Sequence, residues 1–251
     1  MFWWLVIEFL LHYIYSSLLS YYPAYVQNLD SWTLCGYGYC MGQFFHLKYV
    51  VSYGISTTLA KFENIPAPNT PKCIGRIHLY SDMWRYFDSG LYTFLRSYIY
   101  VPLRKLKLPS YLASFFSFCF VYVWHGLAKD IMVWAFLNYI CVTIESAFRH
   151  YYEKYLKQWC ERTLNYDWRQ RGACMLAAPL LAVSAISNFY FFAGVDIGNI
   201  FFQNVFGGST KSLCVLLFAL YCCCQISSYI KKQEELPTLT KKTQMTLCLN
   251  C

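Results

Sequence analysis

Long apolar runs, each bounded by a short polar or basic stretch, dominate the chain. They predict helical membrane spans at about 2–22, 33–60, 110–127, 130–149, 172–195 and 209–230. Several of these approach the ~20 predominantly apolar residues needed to cross a ~30 Å hydrocarbon layer. Between the second and third runs the pattern changes twice. Residues 61–78, KFENIPAPNTPKCIGRIH, contain Pro66, Pro68 and Pro71, which remove backbone donors and break helices, so a loop is expected. Residues 79–107, LYSDMWRYFDSGLYTFLRSYIYVPLRKLK, interleave aromatic side chains with Asp82, Arg85, Asp88 and Arg96. No simple lipid-facing helix tolerates that spacing, so the segment is expected to be amphipathic, re-entrant or packed against other spans, and to be the wall of a cavity. An interfacial helix with an aromatic belt and snorkelling arginines accounts for the same pattern. The expected organisation is two spans in 1–60, the loop and amphipathic segment in 61–109, four further spans in 110–230, and a polar cytoplasmic tail in 231–251. The fold class is all-α, a polytopic helical membrane protein.

Composition agrees with this. Hydrophobic residues make up 57% and charged residues only 14%, against about a quarter charged in soluble domains, which leaves too little for a water-soluble surface. The net charge of +8 does not point to nucleic acid, because the basic residues form short clusters between apolar runs, where the positive-inside rule places them. Arg104, Lys105 and Lys107, the group Arg149 to Arg171, and Lys231, Lys232, Lys241 and Lys242 can all be cytoplasmic at once. The hairpin around 127–130 and a turn near 196–208 then lie on the opposite side, and His125 lies near the non-cytoplasmic end of its span. Many of the 13 cysteines sit inside apolar runs, where they act as small hydrophobes and fix no redox compartment. The first 22 residues lack a basic start and carry Glu8 and His12, which argues against a cleaved signal peptide. They read as a span entered midway.

Two polar residues carry the candidate chemistry. His125 ends the apolar run FVYVWHGLAKD, and Asp88 lies in the aromatic segment. Both are expensive to leave in apolar surroundings without partners. Sequence spacing does not decide whether they meet, and an interfacial histidine is the plainer account of His125. If they meet, the imidazole can take a proton from an attacking amine, hydroxyl or thiol, and the carboxylate can orient it or stabilise its charged form. A Ser/His/Asp triad is disfavoured, because no serine stands in a strand-turn-helix nucleophile context. No metal site is expected. Asn188 and Asp196 read as an interhelical hydrogen bond and a turn residue as readily as site residues. The stretch GYGYCMG at 36–42 follows no strand, so its glycines are read as permitting close helix packing rather than binding a nucleotide.

The blocks MWRYFDSGLYTFLRSYIYVPL (83–103), YVWHG (122–126) and ISNFYFFAGVDIGNIFF (186–202), with the PKCI loop before them, resemble the membrane-bound O-acyltransferases, and within them the Hedgehog acyltransferase branch. The resemblance covers most of residues 35–230. It implies that His125 is the catalytic histidine and Asp88 its carboxylate partner, and that Trp84 and Arg85 shape an acyl-donor tunnel. It also implies a palmitoyl-CoA donor from the cytosolic face and a secreted, Hedgehog-like acceptor with a free N-terminal cysteine from the lumen. A membrane address in the endoplasmic reticulum or Golgi goes with that reaction. Cys73 stands where the branch has a cysteine resembling a haem thiolate ligand, so haem is a possible cofactor by this resemblance; an ordinary loop cysteine is the alternative. Family members carry several more N-terminal spans, which implies that this chain is the C-terminal part of a longer enzyme. An acyltransferase with a lipid or other acceptor and a non-catalytic regulator are the alternative functions.

Overall fold

The computed structural model describes residues 2–15 and 18–249, and every regular element among them is helical. The single helix expected over 2–22 is broken. Helix α1, Phe2–Tyr13, has 12 residues and is about 18 Å long at 1.5 Å per residue, short of a bilayer core. A 3₁₀ turn, Leu18–Tyr21, follows, and α2, Pro23–Gln27, opens on its proline. The proline ring disfavours helical backbone at the residue before it, and Tyr22 is non-helical, with φ −126° and ψ 66°.

Helix α3, Ser31–Phe62, starts where the Asp30 carboxylate accepts the N–H groups of Trp32 and Thr33, the usual N-cap arrangement. It is long enough to span, but Gln43, His46, Lys48 and Ser52 interrupt its apolar surface. The expected loop begins two residues late, because α3 runs to Phe62, and it contains a 3₁₀ turn at Ile74–Arg76. Residues 80–105 form a broken helical segment: α4, Tyr80–Phe87; α5, Ser89–Phe94; a π-helical stretch, Leu95–Tyr100; and α6, Val101–Lys105. It packs against other helices, as its polar spacing requires.

Helix α7, Ser110–Trp124, is apolar but has only 15 residues. Among the described residues, three helices are long and apolar enough to cross a membrane: Lys129–Thr163, Tyr166–Phe206 and Thr210–Glu234. The first comprises α8, Lys129–Tyr151, a π-helical turn and α9, Lys157–Thr163. Residues 150–163, expected as loop, therefore extend the span as helix. The second, α10, Tyr166–Phe206, is capped by Asn165 and bends at Gly194, where φ is +84°. The turn expected at 196–208 is mostly a second helical limb of α10. It folds back until the rings of Phe189 and Phe201 stack 3.8 Å apart. The third belongs to α11, Thr210–Leu249, whose helix continues into the expected polar tail.

Among the described residues, three apolar clusters hold these elements together. One joins α2, α3 and the bent end of α10 around Val26, Met41 and Ile197. A second joins the π-helical stretch, α7, α8 and α10 around Leu95, Val121 and Ile186. The third seals α10 to α11 through Cys174 and Cys224. A charged group ties α4, α8 and α11 at one end of the bundle. There Lys231 reaches the buried Asp82 at 2.6 Å, and Arg149 reaches Glu145 at 2.9 Å. Glu145 also accepts the N–H groups of Tyr80 and Ser81, so a carboxylate from α8 caps α4.

Candidate active site

His125 is placed by the way α7 ends. Its neighbour Gly126 has φ +103° and donates to the Val123 carbonyl, while Leu127 donates to the Tyr122 carbonyl. These two bonds form a Schellman closure, with glycine at the left-handed position that a side chain would strain. The helix therefore stops at Trp124, with His125 as its C-cap. Its imidazole meets the rings of Trp134 and Phe191 edge to face, at 5.5 and 5.2 Å between centroids.

These rings face a cavity of about 450 Å³, lined mainly by aromatic and aliphatic side chains. One face of α3 supplies Cys35, Gly38, Gly42, Phe45, Tyr49 and Tyr53, a stripe of 18 residue steps and thus about 27 Å at 1.5 Å per residue. His125 and Asp88 both line this cavity. They do not hydrogen-bond each other. Asp88 Oδ1 accepts the Leu91 N–H and caps α5, and Oδ2 accepts the Tyr53 hydroxyl at 2.8 Å. The structure thus puts the two candidate residues into one space and gives the carboxylate a holder that the sequence did not disclose.

Trp84 lines the cavity and donates its indole N–H to Asn138 Oδ1 at 3.1 Å. Arg85 does not line it. Its guanidinium lies over the rings of Tyr86 and Tyr92 and 3.8 Å from Asp82, on an exposed face of α4. Asn188 lines the cavity and makes the interhelical bond expected of it, accepting from Trp134 Nε1 at 3.2 Å. Asp196 is exposed, just past the bend of α10. A haem bound through Cys73 needs an apolar slot directly at the sulfur. Cys73 is half-buried and is not part of the cavity lining, although Ile74 and Gly75 beside it are, so these residues do not fit a haem in that cavity.

Beyond those candidates, His78 and Ser227 line the cavity and pair at 2.9 Å, joining the loop before α4 to α11. Burial first, then the Lys231 ammonium, holds His78 below the ordinary imidazole value, against the opposite pull of Asp82 and Glu145. Asn138, the amide within the apolar run of α8, was open to discovery by the same cost argument that singled out His125. Tyr53 and Ser227 carried no signal.

An apolar, elongated cavity with His125, a held carboxylate and the carboxamides of Gln43, Asn138 and Asn188 at its wall suits an apolar chain ending in a reactive carbonyl. The curated relatives agree. The chain is 39% identical to "Protein-cysteine N-palmitoyltransferase Rasp" of Drosophila melanogaster over 95% of its own length and 49% of that protein's. It is 32% identical to "Protein-cysteine N-palmitoyltransferase HHAT" of Mus musculus over 88% of its own length and 45% of that protein's. A more distant likeness, 22% identical over 92% of the chain, is to "Membrane-bound O-acyltransferase GUP2" of Saccharomyces cerevisiae. The chain thus spans about half the length of the curated relatives it matches. The model of the membrane-bound O-acyltransferase family matches residues 1–187, and the chain belongs to that family.

Proposed function

We propose that this chain carries the catalytic centre of a membrane-embedded acyltransferase. It moves a palmitoyl group from palmitoyl-CoA to the N-terminal cysteine of a secreted, Hedgehog-like protein. The observation that carries the reading is the sharing of one elongated apolar cavity by His125 and Asp88. The acceptor amine attacks the thioester carbonyl, a C–N bond forms, and the C–S bond breaks to release CoA as its thiol. His125 takes the proton given up by the amine and returns one to the leaving sulfur. Asp88, held by Tyr53 and the Leu91 N–H, lines the same cavity, where its negative charge favours the positive charge that develops on the attacking amine. The carboxamides of Asn138 and Asn188 are engaged with indoles, so they hold the wall rather than the oxyanion. The acyl chain lies along the aromatic face of α3, where its burial supplies about 0.8 kcal/mol per methylene. Relatives named for cysteine N-palmitoylation support the acceptor class, and a secreted acceptor suits a membrane of the endoplasmic reticulum or Golgi.

The test is acyl transfer in membranes from radiolabelled palmitoyl-CoA to a Cys-initiated peptide, with an N-acetylated peptide and a glycerolipid as alternative acceptors. Loss of a positioned general base costs roughly 10²- to 10⁴-fold. His125→Ala is expected to lose that much while inserting normally. Wild-type turnover in that variant would defeat the assignment, and transfer to the glycerolipid alone would replace the acceptor.

A further inference from the structure

We propose that Asn138 is a positioning residue for acyl transfer. Its side-chain amide fixes the indole of Trp84 as a rigid wall of the cavity and so sets the register of the acyl chain against His125. This rests on the acyltransferase reading above.

The hydrogen-bond directions leave one arrangement. Asn138 Oδ1 accepts from Trp84 Nε1, and Nδ2 donates to the Trp134 carbonyl at 2.8 Å and to Ser187 Oγ at 3.3 Å. Reversing the amide would set donor against the indole N–H and acceptor against the Trp134 carbonyl, so the network itself decides the orientation. Ser187 spends its hydrogen on the Ser184 carbonyl at 2.8 Å, so Tyr80 must donate its hydroxyl hydrogen to Ser187 Oγ. Ser187 is wholly buried and Asn138 is 5% exposed. The unit therefore locks α4, α8 and α10 together with its polar groups paired, as a buried network must if it is to rigidify.

The indole that Asn138 holds is next but one to the imidazole. Trp84 lies 5.6 Å from Trp134 between ring centroids, and Trp134 lies 5.5 Å from His125. On its other side Trp84 meets Phe118 edge to face at 4.9 Å. A Trp84 released from Asn138 can turn about its side-chain torsions into the cavity, shifting the path of any chain that must end at His125. Misplacing a reacting carbonyl by about 1 Å can cost on the order of 100-fold.

The experiment uses the membrane protein carrying 5-fluorotryptophan, with the Trp84 resonance assigned by its disappearance in Trp84→Phe. Wild type and Asn138→Asp, which as the neutral acid keeps an acceptor for the indole and a donor for the Trp134 carbonyl, are expected to give one sharp Trp84 line; Asn138→Leu, of similar volume, is expected to shift and broaden it. In acyl-transfer assays Asn138→Leu is expected to lower kcat with palmitoyl-CoA by roughly 10- to 100-fold and to reduce the preference for palmitoyl-CoA over decanoyl-CoA. Trp84→Phe, which removes only the donor end of the ring system, should reproduce the altered preference and serves if Asn138→Leu does not fold. Asn138→Asp should restore most of it. A competent wild type beside an Asn138→Leu protein with unchanged Trp84 line and unchanged chain preference overturns the role of Asn138 alone. If the leucine variant does not fold, unchanged preference in Trp84→Phe does the same. A wild-type protein that transfers no acyl group overturns the acyltransferase reading and this role with it.

Discussion

The phenol of Tyr53, in the last third of α3, donates to Asp88 Oδ2 at 2.8 Å, while the other oxygen of the same carboxylate caps α5. A carboxylate at the edge of an apolar cavity keeps its aim only if its lone pairs are taken, and here one hydroxyl and one backbone N–H take them. Tyr53→Phe removes a hydrogen bond to a charged group, which is worth about 1.5–3 kcal/mol. Expressed fully in the step that uses Asp88, this is a roughly 10- to 100-fold fall in kcat/KM. Phenylalanine keeps the ring packed against Tyr49, so folding should be unaffected. Full kcat/KM in Tyr53→Phe, beside a defective Asp88→Asn, would mean that the phenol holds nothing that matters.

Gly126 supports His125 through the backbone alone. A Cβ at that position would meet no atom within 4 Å, so the cost of Gly126→Ala is conformational, about 1–2 kcal/mol for a left-handed residue with a side chain. Relief comes by unwinding the end of α7, which displaces His125 from Trp134 and Phe191. The expected result is a loss of acyl transfer larger than the modest fall in thermal stability. Stability and activity falling in step would instead mark Gly126 as a fold residue only.

Protonation of His78 should loosen the bundle. Because its folded-state value is lowered by burial and by Lys231, the unfolded chain binds more protons than the folded one in the range below the ordinary imidazole value of about 6.5. Stability linked to His78 is therefore complete above that pH and is lost as pH falls through it toward the folded value. Unfolding midpoints in one detergent should drop more between pH 7.5 and 5.5 for wild type than for His78→Gln, which retains a polar partner for Ser227. Equal drops would assign the effect to another group.

The cost of stranding a polar group in an apolar run made His125 and Asp88 legible, and they do share a cavity. That reasoning stops at residues whose polarity is routine. Tyr53 is one of 24 tyrosines, and only the crossing of α3 past α5 selects it. Residues 150–163 were misread because a helix leaving the membrane has the composition of a loop. Its Glu153 and Lys157, then Lys157 and Glu161, stand four apart, the spacing that supports a solvated helix. The bend of α10 was hidden because Gly194 in an apolar run looks like any other packing glycine, and its positive φ exists only in three dimensions. Arg85 was carried to the tunnel by its place beside Trp84, yet neighbours in a helix sit about 100° apart, and here one faces the cavity and the other the surface.

The glycines of GYGYCMG separate two reasons for being small. A Cβ on Gly38 would lie 2.7 Å from Phe189 and 2.9 Å from Phe201, whereas one on Gly36 would meet nothing within 4 Å. Gly38 is thus where α3 accepts the stacked rings that hold the folded-back limb of α10, and Gly36 faces outward on the same helix. Overpacking of this kind costs about 1–3 kcal/mol, set against a helix-propensity gain of up to about 1 kcal/mol for alanine over glycine. Gly38→Ala should lower the unfolding midpoint, and it should also alter the cavity, since Gly38, Phe189 and Phe201 all line it. Gly36→Ala gains the propensity without the clash and should leave the midpoint unchanged or raise it. If the two variants unfold alike, the rings do not depend on Gly38, and some other contact keeps the limb of α10 against α3.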